Sequence, residues 1–264
     1  METSPPPASP EAPPTADATG APSRVAIAVG DDTRIIDLIV PALPGGARAP
    51  LLVLLHPNGG SPDAMARMTR AGELAAREGV IVALPPAPGR TWHVMVSAID
   101  PITPSADIAY VVGLIDELAA TYPIDRDRVF VAGFSMGAVA SERIGCEFAD
   151  HVTAVALNAG APWSATCSPG RPIPILVLHG TADRTFTIDL ADDVVRRWRA
   201  IDDCTGEPVV TQLSEIATSE VDGSCAPGVT VQYVRYQGSG HRWLADPDAT
   251  EVMWRFFAGL RSPS

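Results

Sequence analysis

Five short stretches of this sequence are almost wholly apolar: LLVLL (Leu51 to Leu55), VIVALP (Val80 to Pro85), VFVAG (Val129 to Gly133), TAVALN (Thr153 to Asn158) and PILVLH (Pro174 to His179). A strand with one face in water alternates apolar with polar residues, so unbroken runs of strand length belong to strands buried on both faces. Between them lie segments with helical apolar spacing: Pro62 to Glu78, ADIAYVVGLIDELAATY, Met136 to Phe148 and Ile188 to Ala200. Strand and helix in alternation is the pattern of a parallel sheet covered by helices on both sides. Upstream, VAIAV and TRIIDLIVP flank Gly30-Asp31-Asp32 and read as an antiparallel opening hairpin. Downstream, TVQYVRY adds a strand, and Ala249 to Leu260 an amphipathic helix. The expectation is an α/β protein of about eight strands, the first pair antiparallel and the rest parallel. The 264 residues contain no internal repeat and suit one large domain. That domain is expected over residues 24–264, behind a disordered spacer over residues 1–23, METSPPPASPEAPPTADATGAPS, which is too poor in apolar side chains to build a core.

The chemistry concentrates at the carboxyl ends of these strands. Gly133-Phe134-Ser135-Met136-Gly137 is a GxSxG run where a strand ends and a helix begins. A serine presented in a strained strand-to-helix turn needs small neighbours, so the placement makes Ser135 a candidate nucleophile. A hydroxyl needs a base, and on such a sheet the partners follow in the order Ser, Asp or Glu, His. Of His56, His93, His151, His179 and His241, only the last two follow Ser135 at sufficient distance. His179 ends a buried strand, where packing is the expected role. His241 lies in the glycine-rich GSGHRW and is the candidate base. Asp183, in HGTAD just after PILVLH, is the candidate to accept the imidazole Nδ1 proton and fix its tautomer. Asp189, Asp192 and Asp193 compete, but they fall in a helical segment where solvated carboxylates are the ordinary case. Acyl transfer also needs two donors aimed at the developing oxyanion. Met136 supplies one amide. The other should come from His56-Pro57-Asn58-Gly59-Gly60, where Pro57 has no N–H, so Asn58 is expected to donate, with Gly59 next in line and close to substrate.

Charge and cysteine usage narrow the partners. The net charge is −12 and lysine is absent, which argues against nucleic acid or an anionic membrane as partner. No apolar stretch reaches the length needed to cross a bilayer. Cys146, Cys167, Cys204 and Cys225 contain no CxxC pair, so disulfides are expected rather than a zinc or redox site. Of the three possible pairings, Cys146 with Cys167 and Cys204 with Cys225 suit neighbouring loops best. Neither metal nor organic cofactor is implied. The start of the sequence lacks a basic and then apolar signal segment, so an extracytoplasmic location is inferred from the cysteines.

HPNGG, GFSMG, HGTAD and GSGHRW, with the cysteines between them, resemble the polyhydroxybutyrate depolymerase and feruloyl esterase family of secreted α/β-hydrolases, over roughly Leu51 to Leu260. The resemblance implies that fold, triad roles for Ser135, Asp183 and His241, and two disulfides in the short-range pairing. It also implies a serine carboxylesterase working through an acyl-enzyme. The family usually has glycine after the loop histidine; Pro57 stiffens the loop here. Only some thirteen residues separate TAVALN from PILVLH, roughly Ala159 to Arg171, too few for a large lid domain, so an open site for a polymeric or aromatic ester and a monomeric enzyme are expected. Trp92, Trp163 and Trp243 fall on loops near the carboxyl edge and are candidates to hold such a substrate, while Trp198 and Trp254 lie on helices and read as core.

Overall fold

The computed structural model describes residues 21–94, 105–164 and 166–260. The expected spacer therefore lies almost wholly outside the described residues, and Ser23 already belongs to the first strand. Ten strands form one sheet: β1 (Ser23–Val29), β2 (Asp32–Ile39), β3 (Ala49–Leu55), β4 (Ile81–Leu84), β5 (Ile124–Phe134), β6 (Ala154–Asn158), β7 (Ile175–Gly180), β8 (Val209–Gln212), β9 (Ala217–Asp222) and β10 (Val231–Tyr236). Their spatial order is β1-β2-β4-β3-β5-β6-β7-β10-β9-β8. The block from β4 to β10 is parallel throughout, and both margins are antiparallel.

The unbroken apolar runs have a direct cause in the two cores. In β3, Leu51, Val53 and Leu55 point into the core under α3 (Ala106–Thr121), α4 (Met136–Glu147) and α5 (Ile188–Ile201), while Leu52 and Leu54 point into the opposite one. That second core is covered by α1 (Pro62–Met68), α2 (Ala71–Glu78) and α6 (Ala249–Gly259). Every position of β3 is buried, so no polar alternation can survive. Each such aliphatic side chain stabilises the fold by roughly 1.5–3 kcal/mol.

All eight expected strands are present, and the sheet carries two more. β8 and β9 lie beyond β10, each antiparallel to its neighbour. The residues of β8 are all exposed, so it lacks the apolar run that marks the interior strands. The segment expected as one helix over Pro62 to Glu78 is two, because Arg70 adopts left-handed backbone at φ +50° between α1 and α2. Disulfides join Cys146 to Cys167 and Cys204 to Cys225. Among the described residues no helix is long and apolar enough to cross a membrane.

Candidate active site

Ser135 joins β5 to α4 with φ +56° and ψ −119°, left-handed for a residue bearing a Cβ, a strain of order 1–3 kcal/mol. The surroundings over-determine it. Its N–H donates to the Asn158 carbonyl at 3.0 Å, and its own carbonyl accepts from Ala138 and Val139. A Cβ at Gly133 would stand 2.2 Å from the Gly137 carbonyl, and one at Gly137 2.1 Å from the Leu55 oxygen. Backbone meets backbone at both places, so only glycine fits, and α4 is pressed against the end of β3.

A second close approach brings His241 to the elbow. The loop carrying His241 crosses the end of β7, where a Cβ at Gly180 would stand 2.2 Å from the Ser239 oxygen. Ala182 N–H donates to Ser239 O at 2.9 Å, and Gly238 N–H donates to the Thr181 hydroxyl at 2.9 Å, pinning the two loops. Three residues separated by 48 to 106 positions thereby meet. His241 Nδ1 donates to Asp183 Oδ2 at 2.7 Å, which leaves Nε2 to accept from the Ser135 hydroxyl at 2.8 Å. The other Asp183 oxygen accepts the amides of Thr185 and Phe186 at 2.8 and 3.0 Å. The imidazole is packed between Phe134, at 5.1 Å between ring centres, and the edge of Phe186, at 5.7 Å. Of the competing carboxylates on α5, Asp192 accepts from Tyr233 and Arg235, and Asp193 pairs with Arg196.

The HPNGG loop is held by residues that its motif alone does not reveal. His56 Nδ1 donates to Pro57 O at 2.8 Å, and its Nε2 accepts the Ala87 amide at 3.1 Å. Burial lowers the His56 pKa and keeps the ring neutral for this double duty. Gly59 N–H donates to Arg90 O and Gly60 N–H to Pro57 O, each at 2.8 Å. Gly59 is thus spent as a donor. The amides of Asn58 and Met136 donate to nothing among the described residues, and Met136 opens α4, where the helix dipole favours negative charge.

The three tryptophans divide. Trp92 is 1% exposed, its indole N–H donating to His56 O at 2.8 Å, so it offers no surface to a substrate and instead props the HPNGG loop. Trp243 is half-buried, edge-on to Phe134 and bonded to Thr250 of α6, and it buttresses the ring beside His241. Trp163 does line a cavity of about 800 Å³, together with Met136, Val139, Phe186, Leu190 and Arg197. His179 takes the packing role expected of it: fully buried, with its pKa lowered by desolvation, it donates to Phe186 O at 2.8 Å.

Comparison with known proteins places the chain. Feruloyl esterase B of Piromyces equi is 29% identical over 221 residues, covering 75% of this chain and 40% of that protein, so the chain spans less than half of that relative's length. The putative esterase NocK of Nocardia uniformis subsp. tsuyamanensis is 30% identical, covering 89% of this chain and 84% of that protein. In three dimensions the acetyl xylan esterase from Aspergillus awamori superposes with a TM-score of 0.73 at 16% identity, covering 89% of this chain and 99% of that one, which shows the shared α/β-hydrolase fold. The family model described as esterase PHB depolymerase matches residues 37–243, from the second strand to the tryptophan beside the histidine loop, and the chain belongs to that family.

Proposed function

We propose that this chain is a serine carboxylesterase in which Ser135 is the nucleophile, His241 the base and Asp183 the residue that orients it. The observation that carries the reading is the unbroken line of hydrogen bonds from Asp183 Oδ2 through the imidazole to the Ser135 hydroxyl, 2.7 and 2.8 Å long. His241 Nε2 takes the hydroxyl proton as Ser135 Oγ attacks the ester carbonyl. The amides of Met136 and Asn58 stabilise the oxyanion, each contributing about 3 kcal/mol in the transition state. The imidazolium, steadied by Asp183, returns the proton to the departing alcohol. Water activated by His241 then releases the acid from the acyl-enzyme.

The esters are those of bulky acids or of polymers, in keeping with the names of the relatives, the short connection between β6 and β7, and the wide cavity lined by Met136, the residue after Ser135. Two disulfides fit an oxidising compartment outside the cytoplasm, where a monomer works without a cofactor. The test is turnover of p-nitrophenyl acetate and methyl ferulate by the wild type and Ser135→Ala. Loss of at least about a thousandfold in the variant is expected. Turnover that survives the substitution refutes the reading.

A further inference from the structure

Glu142 is an anomaly that the esterase chemistry leaves unexplained. It lies in the middle of α4, seven residues after Ser135, with a side chain 0% exposed. All its acceptor capacity is directed at two other elements. Oε2 accepts the Trp163 amide at 2.9 Å, while Oε1 accepts the Trp198 indole N–H at 3.2 Å and pairs with the Arg197 guanidinium. Arg197 in turn donates to Ser164 O. The neighbouring Arg143 stacks over the Trp163 ring at 4.7 Å and donates to Val94 O at 3.0 Å. A single carboxylate therefore ties together α4, the loop after β6 and α5, three elements that wall the cavity lined by Met136.

Stability does not account for it. Burial pushes the Glu142 pKa up, and Arg197 pulls it only partly back. A buried ion pair of this kind is commonly no more stabilising than apolar side chains of the same volume. What an ion pair with fixed hydrogen bonds supplies, and an apolar contact does not, is direction: Trp163 and Arg197, both in the cavity wall, are each held in one place.

We propose that Glu142 is a positioning residue that sets the shape of the cavity, and that the cavity holds the acyl group of a large ester while that group is attached to Ser135. The inference rests on the esterase reading. The acyl group stays on Ser135 after the alcohol has left, so a cavity lined by Met136, the residue next to the nucleophile, serves both halves of the reaction. An acetyl group fills little of a volume of about 800 Å³, whereas a six-carbon acyl chain brings four more methylenes against its lining.

The experiment compares p-nitrophenyl hexanoate with p-nitrophenyl acetate, which share a leaving group, for the wild type, Glu142→Gln and Arg197→Gln. In both variants the ratio of kcat/KM for hexanoate to that for acetate should fall about tenfold, with most of the loss in KM for hexanoate. Should Glu142→Gln not fold, Arg197→Gln breaks the same link from a partly exposed position and decides alone. A ratio within twofold of the wild type, or equal losses on both esters, overturns the proposal. A wild type that turns over neither ester instead defeats the esterase reading itself.

Discussion

Two buried aspartates stand at either end of the segment that contains α5, and they are treated in opposite ways. Asp183, 5% exposed, has one oxygen filled by two backbone amides and the other by His241. Asp202, 0% exposed, caps the end of α5, and neither of its carboxyl oxygens makes a hydrogen bond among the described residues. Desolvation pushes the Asp202 pKa up to about 7, with a backbone contact from Ile173 offsetting part of the effect and neighbouring Asp203 adding to it. Three donors surround Asp183, whereas Asp202 has only the backbone approach of Ile173. Burial alone therefore says little about an aspartate's task; its donor count says much more.

The sharpest way to break this contrast is to neutralise each aspartate without changing its size. In Asp183→Asn the charge is lost and an amide N–H can face His241 Nδ1, forcing the tautomer whose Nε2 carries the proton and no longer accepts from Ser135. We expect kcat on p-nitrophenyl acetate to drop by about a thousandfold to ten-thousandfold while the folded content by circular dichroism stays unchanged. A loss under tenfold would remove Asp183 from the proton-passing line.

The next largest effect belongs to the bridge that braces the Asp202 neighbourhood. Cys204 and Cys225 lie 21 positions apart, and the loops they join exchange hydrogen bonds from Thr205 N–H to Ser224 O and from Ala226 N–H to Asp202 O. Replacing both cysteines with serine should reduce stability by about 3 kcal/mol, measured by urea unfolding, and leave kcat near its wild-type value because the triad loops are untouched. Unchanged stability would show that the hydrogen bonds suffice.

Asp202→Asn should act in the other direction. Below pH 4 the carboxyl is protonated in both folded and unfolded chains, so it has no pH-dependent effect. As pH rises from about 4 to about 7 the unfolded chain ionises first, and the native state loses stability; above about 7 the full penalty stands. The substitution should therefore stabilise by about 1–3 kcal/mol at pH 8 and much less at pH 5. Equal differences at the two pH values would mean that Asp202 is hydrated or paired in solution.

The same division between local demand and assembled context governs what the sequence discloses. The elbow, HGTAD and the GSGH loop are legible because backbone meets backbone there, and only glycine permits it at Gly133, Gly137 and Gly180. The interior strands are legible because burial on both faces erases polar alternation. Glu142 is not, since a glutamate in a helix reads as solvated until the loop and α5 are folded against it. Trp92 reads as a surface for substrate for the same reason: nothing local says that its indole reaches the His56 carbonyl. β8 lacks an apolar run because it presents all its residues to solvent, and β9 lacks one because two of its three buried positions are the polar Ser219 and Asp222.

That outer strand sets the smallest effect and sharpens the contrast at its far limit. Val209 and Val210 are 68% and 63% exposed, so their apolar surface is barely removed from water, and β8 pairs on one edge only. Threonine keeps the β-branch that suits a strand and removes only apolar surface already in solvent. The double substitution Val209→Thr with Val210→Thr should change unfolding free energy by less than about 0.5 kcal/mol and leave the sedimentation coefficient unaltered. A loss above about 1 kcal/mol, or a shift in association state, would mean that this margin is covered in solution. The antiparallel edge would then be an interface, subject to the same burial physics as the sheet interior.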